Sequence, residues 1–289
     1  MTPGCEQTGL KIIKCIQSIL VTIYVLELVG ATAVTSLGWA ACRILKINWT
    51  LSAPLWLAGY VFVYNFDRLF PDPADPMNVP VRWRKTVKLR SARISLVLLS
   101  SLVLISWPLL TGRWWLVLAL GFVVALLQFY SRPIPGIRRR IKDLPYLKSL
   151  SVPGLIAGAL VVWPCLENGR SFRVKEWFVF LLCLLVLTIN SLVFDYRDIA
   201  GDAAFGTRTL PVRLGRTNTI YLVLALIVAV AGVSWWLAGN GLVSPLTPAA
   251  LFSGSIGLLL VVLGRFRPMT ISLFADLFLM LPAVLQFFS

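Results

Sequence analysis

Six of the twelve acidic residues are aspartates gathered in two short segments. Asp195, Asp198 and Asp202 sit in NSLVFDYRDIAGDAAFGTRTLPVRLG, residues 190–215, at the spacing i, i+3, i+7. On a continuous helix that spacing puts three carboxylates on one face. Like charges so placed repel, and a divalent cation removes the repulsion. Mg²⁺ suits the position because it takes hard oxygen ligands: one or two carboxylates, waters and substrate phosphate oxygens. A solvated acidic turn neutralised by Arg197 and Arg208 gives the same pattern, so spacing leaves both readings open.

The second group, Asp67, Asp72 and Asp75, lies in VYNFDRLFPDPADPMNVPVRW, residues 63–83. Pro71, Pro73, Pro76 and Pro80 cannot continue a helix. The helix is therefore expected to end near Leu69 or Phe70. That leaves Asp67 on its last turn, flanked by Asn65 and Arg68, with Asp72 and Asp75 in an extended segment. A third segment, YSRPIPGIRRRIKDLPYLKSL, residues 130–150, is strongly basic. It reads as a topology signal touching anionic lipid, as a cationic wall for a diphosphate, or as both.

The elements that must position these groups are membrane helices. Of 289 residues, 58% are hydrophobic and 13% charged, against about 25% charged in a soluble domain. Mean hydropathy is +0.84. A span needs about 20 mostly apolar residues. Spans are expected near 17–40, 49–66, 94–111, 114–131, 149–165, 176–194, 218–238, 246–264 and 269–288. The expectation is an all-α, polytopic membrane protein: one domain over residues 1–289, with about nine transmembrane helices around a central cavity. The N-terminus shows no clear cleavage site, so the first span is expected to remain.

Charge placement sets the expected orientation. Of the 27 Lys and Arg, 21 fall in the N-terminal tail and the even-numbered connections, and six in the odd-numbered ones. By the positive-inside rule the N-terminus and both aspartate loops face the cytoplasm, which suggests a multi-pass protein of the plasma membrane. Two acids, Glu27 and Asp276, fall within expected spans. Each either lines a cavity or sits neutralised at the membrane edge.

Composition also excludes. There is no histidine, hence no histidine-held haem or zinc and no imidazole base. Cys5, Cys15, Cys42, Cys165 and Cys183 are scattered and read as small apolar residues. The net charge of +15 is spread between hydrophobic spans, which points to membrane lipids and phosphorylated substrates rather than nucleic acid.

At residues 190–215 the pattern D-x-x-D-x-x-x-D, followed by G-x-R-T-L-P-V-R-L-G, resembles the second aspartate-rich motif of the UbiA superfamily of intramembrane prenyltransferases. The match includes Asn190, Asp195, Asp198, Asp202, Gly206, Arg208, Thr209, Leu210 and Pro211. Tyr130-Ser131 and Lys142 resemble the family's basic fourth loop. The first motif departs from the usual N-x-x-x-D-x-x-x-D. One residue separates Asn65 from Asp67 here, and four separate Asp67 from Asp72.

The resemblance implies a Mg²⁺-dependent enzyme that transfers an alkyl group other than methyl. An isoprenyl group would pass from an isoprenyl diphosphate to a lipophilic, aromatic acceptor within the membrane. It implies Asp67, Asp72, Asp195, Asp198 and Asp202 as metal ligands, with Asp67, Asp198 and Asp202 catalytic. Asn65, Arg68, Tyr130, Lys142, Asn190 and Arg208 would meet the diphosphate. Two alternatives stand beside this. One is a terpene-cyclase-like reaction on a prenyl diphosphate alone, suited to an altered first motif. The other is a non-catalytic membrane protein binding anionic lipid.

Overall fold

A computed structural model describes residues 18–70, 72–119, 121, 122, 130, 144, 146–264 and 266–287. The described residues are helical, with no strand among them. A helix over residues 18–25 precedes α1 (Leu28–Leu45). Then follow α2 (Ala53–Asp67), α3 (Asp75–Asn78), α4 (Pro80–Lys88) and α5 (Arg90–Leu110). The second half holds α6 (Leu147–Glu167), α7 (Val174–Arg197), α8 (Ile199–Ala204), α9 (Leu210–Gly239), α10 (Leu246–Leu263) and α11 (Pro268–Phe287).

Seven of these, α1, α5, α6, α7, α9, α10 and α11, are long and apolar enough to cross a membrane. The protein is thus an integral, multi-pass membrane protein, and helices are what lipid demands, since each satisfies its own backbone polar groups. The described residues support seven spans, where nine are expected. The span at 49–66 is the 15-residue α2, and half of 114–131 lies outside the described residues. α7 is central, packed against α1, α6, α9, α10 and α11. Its buried Leu182, Val186, Ile189 and Val193 join the main core. Leu98, Leu99 and Leu102 of α5 and Val228 of α9 are exposed, as befits side chains facing lipid.

The first expected span is divided. Glu27 has φ 66° and stands between the 18–25 helix and α1. A break there orphans carbonyls that a continuous helix would pair. Asn65 of α2 donates to Leu26 O at 3.0 Å, and Arg93 of α5 donates to Val25 O at 2.5 Å. Arg93 also reaches Asn65 Oδ1 at 2.9 Å and Thr86 Oγ1 at 3.2 Å, and is 0% exposed. Glu27 itself pairs with Arg82 and lies 3.9 Å from Arg68 Nε. It is a neutralised group at a helix break rather than an acid within a span.

α6 shows how one missing donor fixes a neighbour. Its middle, Gly158–Val162, is a π turn with Trp163 N–H on Gly158 O. The next i→i+5 donor would be Pro164, which has no N–H. The Ala159 carbonyl left over accepts the Trp56 indole N–H at 2.9 Å, tying α2 to α6.

Candidate active site

Prolines shape the first aspartate loop. α2 ends at Asp67, with Arg68 as its C-cap. Asp75 is not extended as expected, because Asp75-Pro76 opens the short α3 and Pro80 opens α4. Proline is tolerated in a first helical turn, where its missing N–H has no intrahelical partner. The Asp72 carboxylate accepts the Ala74 N–H at 3.0 Å. The Arg68 guanidinium holds both Asp75 oxygens at 2.9 Å.

The second aspartate loop bends where it was expected to run on. α7 stops at Arg197 and α8 starts at Ile199, with Asp198 between them at φ −93° and ψ 4°. The three carboxylates consequently divide. Arg197 Nε and Nη2 hold the two Asp198 oxygens at 2.7 and 2.6 Å, and Arg197 also donates to Ser272 of α11. Asp195 and Asp202, one turn to either side, meet a different cation. Lys148, the second residue of α6, places Nζ 2.7 and 3.0 Å from the Asp202 oxygens and 3.7 Å from Asp195 Oδ1. Ser149 donates to Asp195 Oδ2 at 2.5 Å and accepts the Leu210 N–H at 3.2 Å.

One contact brings the loops together. Asn78 of α3 accepts the Gly201 N–H of α8 at 2.9 Å, across 123 residues of sequence. A Cβ on Gly201 would overlap the Asn78 side chain. Beside this junction a small cavity, about 10 Å³, is lined by Arg68, Asp75, Val79, Arg82, Trp83, Thr86 and Arg197. Buried Nε atoms of Arg68, Arg82 and Arg93 have no hydrogen-bond partner. A larger cavity of about 200 Å³, mostly apolar, lies among Thr32, Thr35, Ser36, Trp39, Trp49, Leu57 and Ala283.

The carboxylates outside the spans respond to these neighbours. Burial pushes the Asp198 carboxyl up, but Arg197, by charge and hydrogen bond, with Lys148 and Arg68, holds it below its ordinary value. Asp202 is pushed up to about 6 by burial, which Asp195 and Asp198 reinforce and Lys148 only partly offsets.

The other expected site residues are placed as follows. Asp67 and Asp72 are half-buried beside the Arg68–Asp75 pair. Asn65 is 0% exposed, its amide engaged with Leu26, Val61 and Arg93. Asn190 is buried and donates to Ala275 O of α11 at 3.1 Å. Tyr130 is half-buried and hydrogen-bonds Ser151. Arg208 is exposed, and its carbonyl accepts the Tyr146 N–H at 3.2 Å. Lys142 lies outside the described residues. Asp276 is buried on α11, one turn beyond Ser272.

Lys148, Ser149, Asn78, Arg82 and Ser272 are absent from the expected set. Lys148 carried a usable signal: a lysine beginning an apolar run needs a partner at that depth. Asn78 carried none.

Among the described residues no three acidic side chains are gathered around one point as a ready metal cluster. Arg197 and Lys148 draw them apart. Two carboxylates do share one cation position, however, and the Lys148 ammonium marks it. Two carboxylates suffice for Mg²⁺, which completes its shell with water and phosphate, so the donor set fits that ion.

The model of the UbiA prenyltransferase family matches residues 82–281. The matched stretch contains the basic segment and the second aspartate loop, and begins after the first. No curated protein matches the chain. A solved structure described as digeranylgeranylglyceryl phosphate synthase in membranes aligns with 93% of this chain and 98% of its own, at 14% identity and TM-score 0.48. That likeness carries no argument about this chain.

Proposed function

Because the chain belongs to the UbiA prenyltransferase family, whose general activity is prenyl transfer in membranes, we propose that it transfers an isoprenyl group from an isoprenyl diphosphate to a lipophilic, aromatic acceptor with Mg²⁺. The observation that carries the reading is the junction of the two aspartate loops through Asn78 and Gly201, with a shared cation position beside it.

In this reading Asp67 and Asp72 hold one ion, and Asp195, Asp198 and Asp202 the other. Bound Mg²⁺ supplies positive charge where the departing diphosphate becomes more negative. Arg68, Arg82 and Arg197 surround the small cavity, and the unmet Nε donors of Arg68 and Arg82 suit phosphate oxygens. Tyr130, Lys142 and Arg208 approach the diphosphate from the connecting loops. Asn65 and Asn190 act behind them, Asn65 near the end of α2 and Asn190 tying α7 to α11. The apolar cavity along α1 and α2 receives hydrocarbon, and the bilayer around it keeps water from the allylic cation. Little proton transfer is required, so a site without histidine suffices. In this reading both aspartate loops face the cytoplasm from the plasma membrane.

The test is a screen of purified protein with Mg²⁺, prenyl diphosphates of graded length and a lipid extract. Released diphosphate and new prenylated products are followed by mass spectrometry. Asp198→Asn is expected to lower diphosphate release at least ~100-fold, the scale of losing one group that stabilises developing charge. Full activity in that variant overturns the assignment. A product with the donor's own carbon count, formed without acceptor, replaces it with cyclisation.

A further inference from the structure

Lys148 stands where the second aspartate loop would hold a metal ion. Its ammonium touches both oxygens of Asp202 and lies 3.7 Å from Asp195. Both acids are almost wholly buried, at 3% and 4% exposure, whereas the Lys148 side chain keeps 27%. The remaining Asp195 oxygen is held by Ser149, a neutral donor. One positive charge therefore serves two buried carboxyl groups. A Mg²⁺ ion binding there would approach the same oxygens at about 2.0–2.1 Å. The ammonium and a divalent ion cannot both occupy that space, and at such range they repel.

We infer that Lys148 is a resident counter-ion of the second aspartate loop, which a divalent cation must displace from Asp195 and Asp202 in order to bind. The lysine sits in the first turn of α6, on a flexible four-carbon stem. Its backbone is fixed nearby, because Tyr146 N–H bonds Arg208 O and Ser149 receives Leu210 N–H. The head group can thus leave the carboxylates while the helix stays. Without a metal the ammonium keeps the two acids from repelling one another. With a metal bound, it is released on the face where the diphosphate arrives. Metal and diphosphate binding are then linked: an anion that accepts the freed ammonium favours metal binding, and the reverse holds by the same coupling.

The inference rests on the divalent-ion site proposed above, and its test uses the metal alone, without substrate. Mn²⁺ is titrated into the protein in lipid nanodiscs and free Mn²⁺ is read by electron paramagnetic resonance. Lys148→Met is expected to bind Mn²⁺ at least tenfold tighter than wild type, and adding Asp202→Asn is expected to cancel that gain. Unchanged or weaker binding by folded Lys148→Met overturns the inference. Should that variant fail to fold, wild-type protein gives a second readout. Amine labelling of Lys148, quantified by mass spectrometry, is expected to rise several-fold on saturation with Mg²⁺, and labelling that stays level or falls overturns it. A protein that binds metal as expected yet turns over no prenyl diphosphate defeats the proposed reaction and leaves this inference standing.

Discussion

At one end of the bundle, Glu167 and Glu176 each have an arginine of their own. Glu167 takes Arg113 Nε at 3.3 Å and the Ser52 hydroxyl at 2.5 Å. Glu176 takes Arg170 Nε at 3.1 Å and the Arg173 N–H at 3.0 Å, closing the start of α7. At the other end, Asp195 and Asp202 share one lysine, and Arg68, Arg82 and Arg93 bury Nε donors with no hydrogen-bond partner. Both ends bury acids, yet only at the first does each acid have a cation and a second donor of its own. Buried polar groups are nearly always satisfied, and unmet ones carry a cost. An end that leaves carboxylates short of cations and guanidiniums short of acceptors is built for something that brings both. A metal diphosphate does so.

The comparison breaks most sharply at Gly201. A methyl group there meets Asn78, whose buried carbonyl oxygen must then give up the Gly201 N–H. The two aspartate loops are forced apart while every charged residue stays in place. Gly201→Ala is expected to lower diphosphate release about 100-fold, the cost of misplacing catalytic groups by about 1 Å. Thermal stability should fall as well, by about 1–3 kcal/mol, the cost of a buried polar pair left unmade. Shortening the obstruction in the double variant Gly201→Ala, Asn78→Ala should return part of the rate. If Gly201→Ala retains full activity, the junction of the loops is not what organises the site.

The unequal ends also explain what could be read from the sequence. The long apolar helices follow from hydropathy, and α7, α10 and α11 lie within a few residues of their expected bounds. The second aspartate loop was legible because its chemistry is contiguous, from Asp195 to Thr209. Its partners were not. Lys148 is 54 residues from Asp202, and Asn78 is 123 from Gly201, and no local periodicity encodes such pairings. The bend at Asp198 was hidden too, since i, i+3, i+7 spacing presumes an unbroken helix. Asn65 looked like a motif residue because it precedes Asp67. Its engagement depends on a left-handed Glu27 far away in the chain. The far end is local only in part: Arg173 and Glu176 form a capping arrangement three residues apart, whereas Ser52 lies 115 residues from Glu167.

A change at the complete end should touch stability and spare chemistry. Glu176→Gln keeps the volume but leaves one amide oxygen for two donors, Arg170 and Arg173. The expected loss is about 1–3 kcal/mol, the cost of a buried charged hydrogen bond left unmade. It is read as a lowered melting temperature in detergent, with diphosphate release within twofold of wild type. A large loss of rate at unchanged melting temperature would mean the far end takes part in the reaction, and the division between ends would fail.

The finest test is Ser52→Ala at the same end. Its hydroxyl supplies the neutral half of the Glu167 site, and Arg113 remains to hold the charge. Removing one hydrogen bond to a carboxylate costs about 1.5 kcal/mol at the low end, which applies here because the ion pair survives. Ser149→Ala is its counterpart at the reactive end. There the neutral donor to Asp195 is removed, and Lys148 must also serve Asp202. If the far end is complete and the near end is not, Ser149→Ala should be the more sensitive to added Mg²⁺. Its melting temperature should recover with the ion, whereas that of Ser52→Ala should ignore it. Equal responses would remove the contrast.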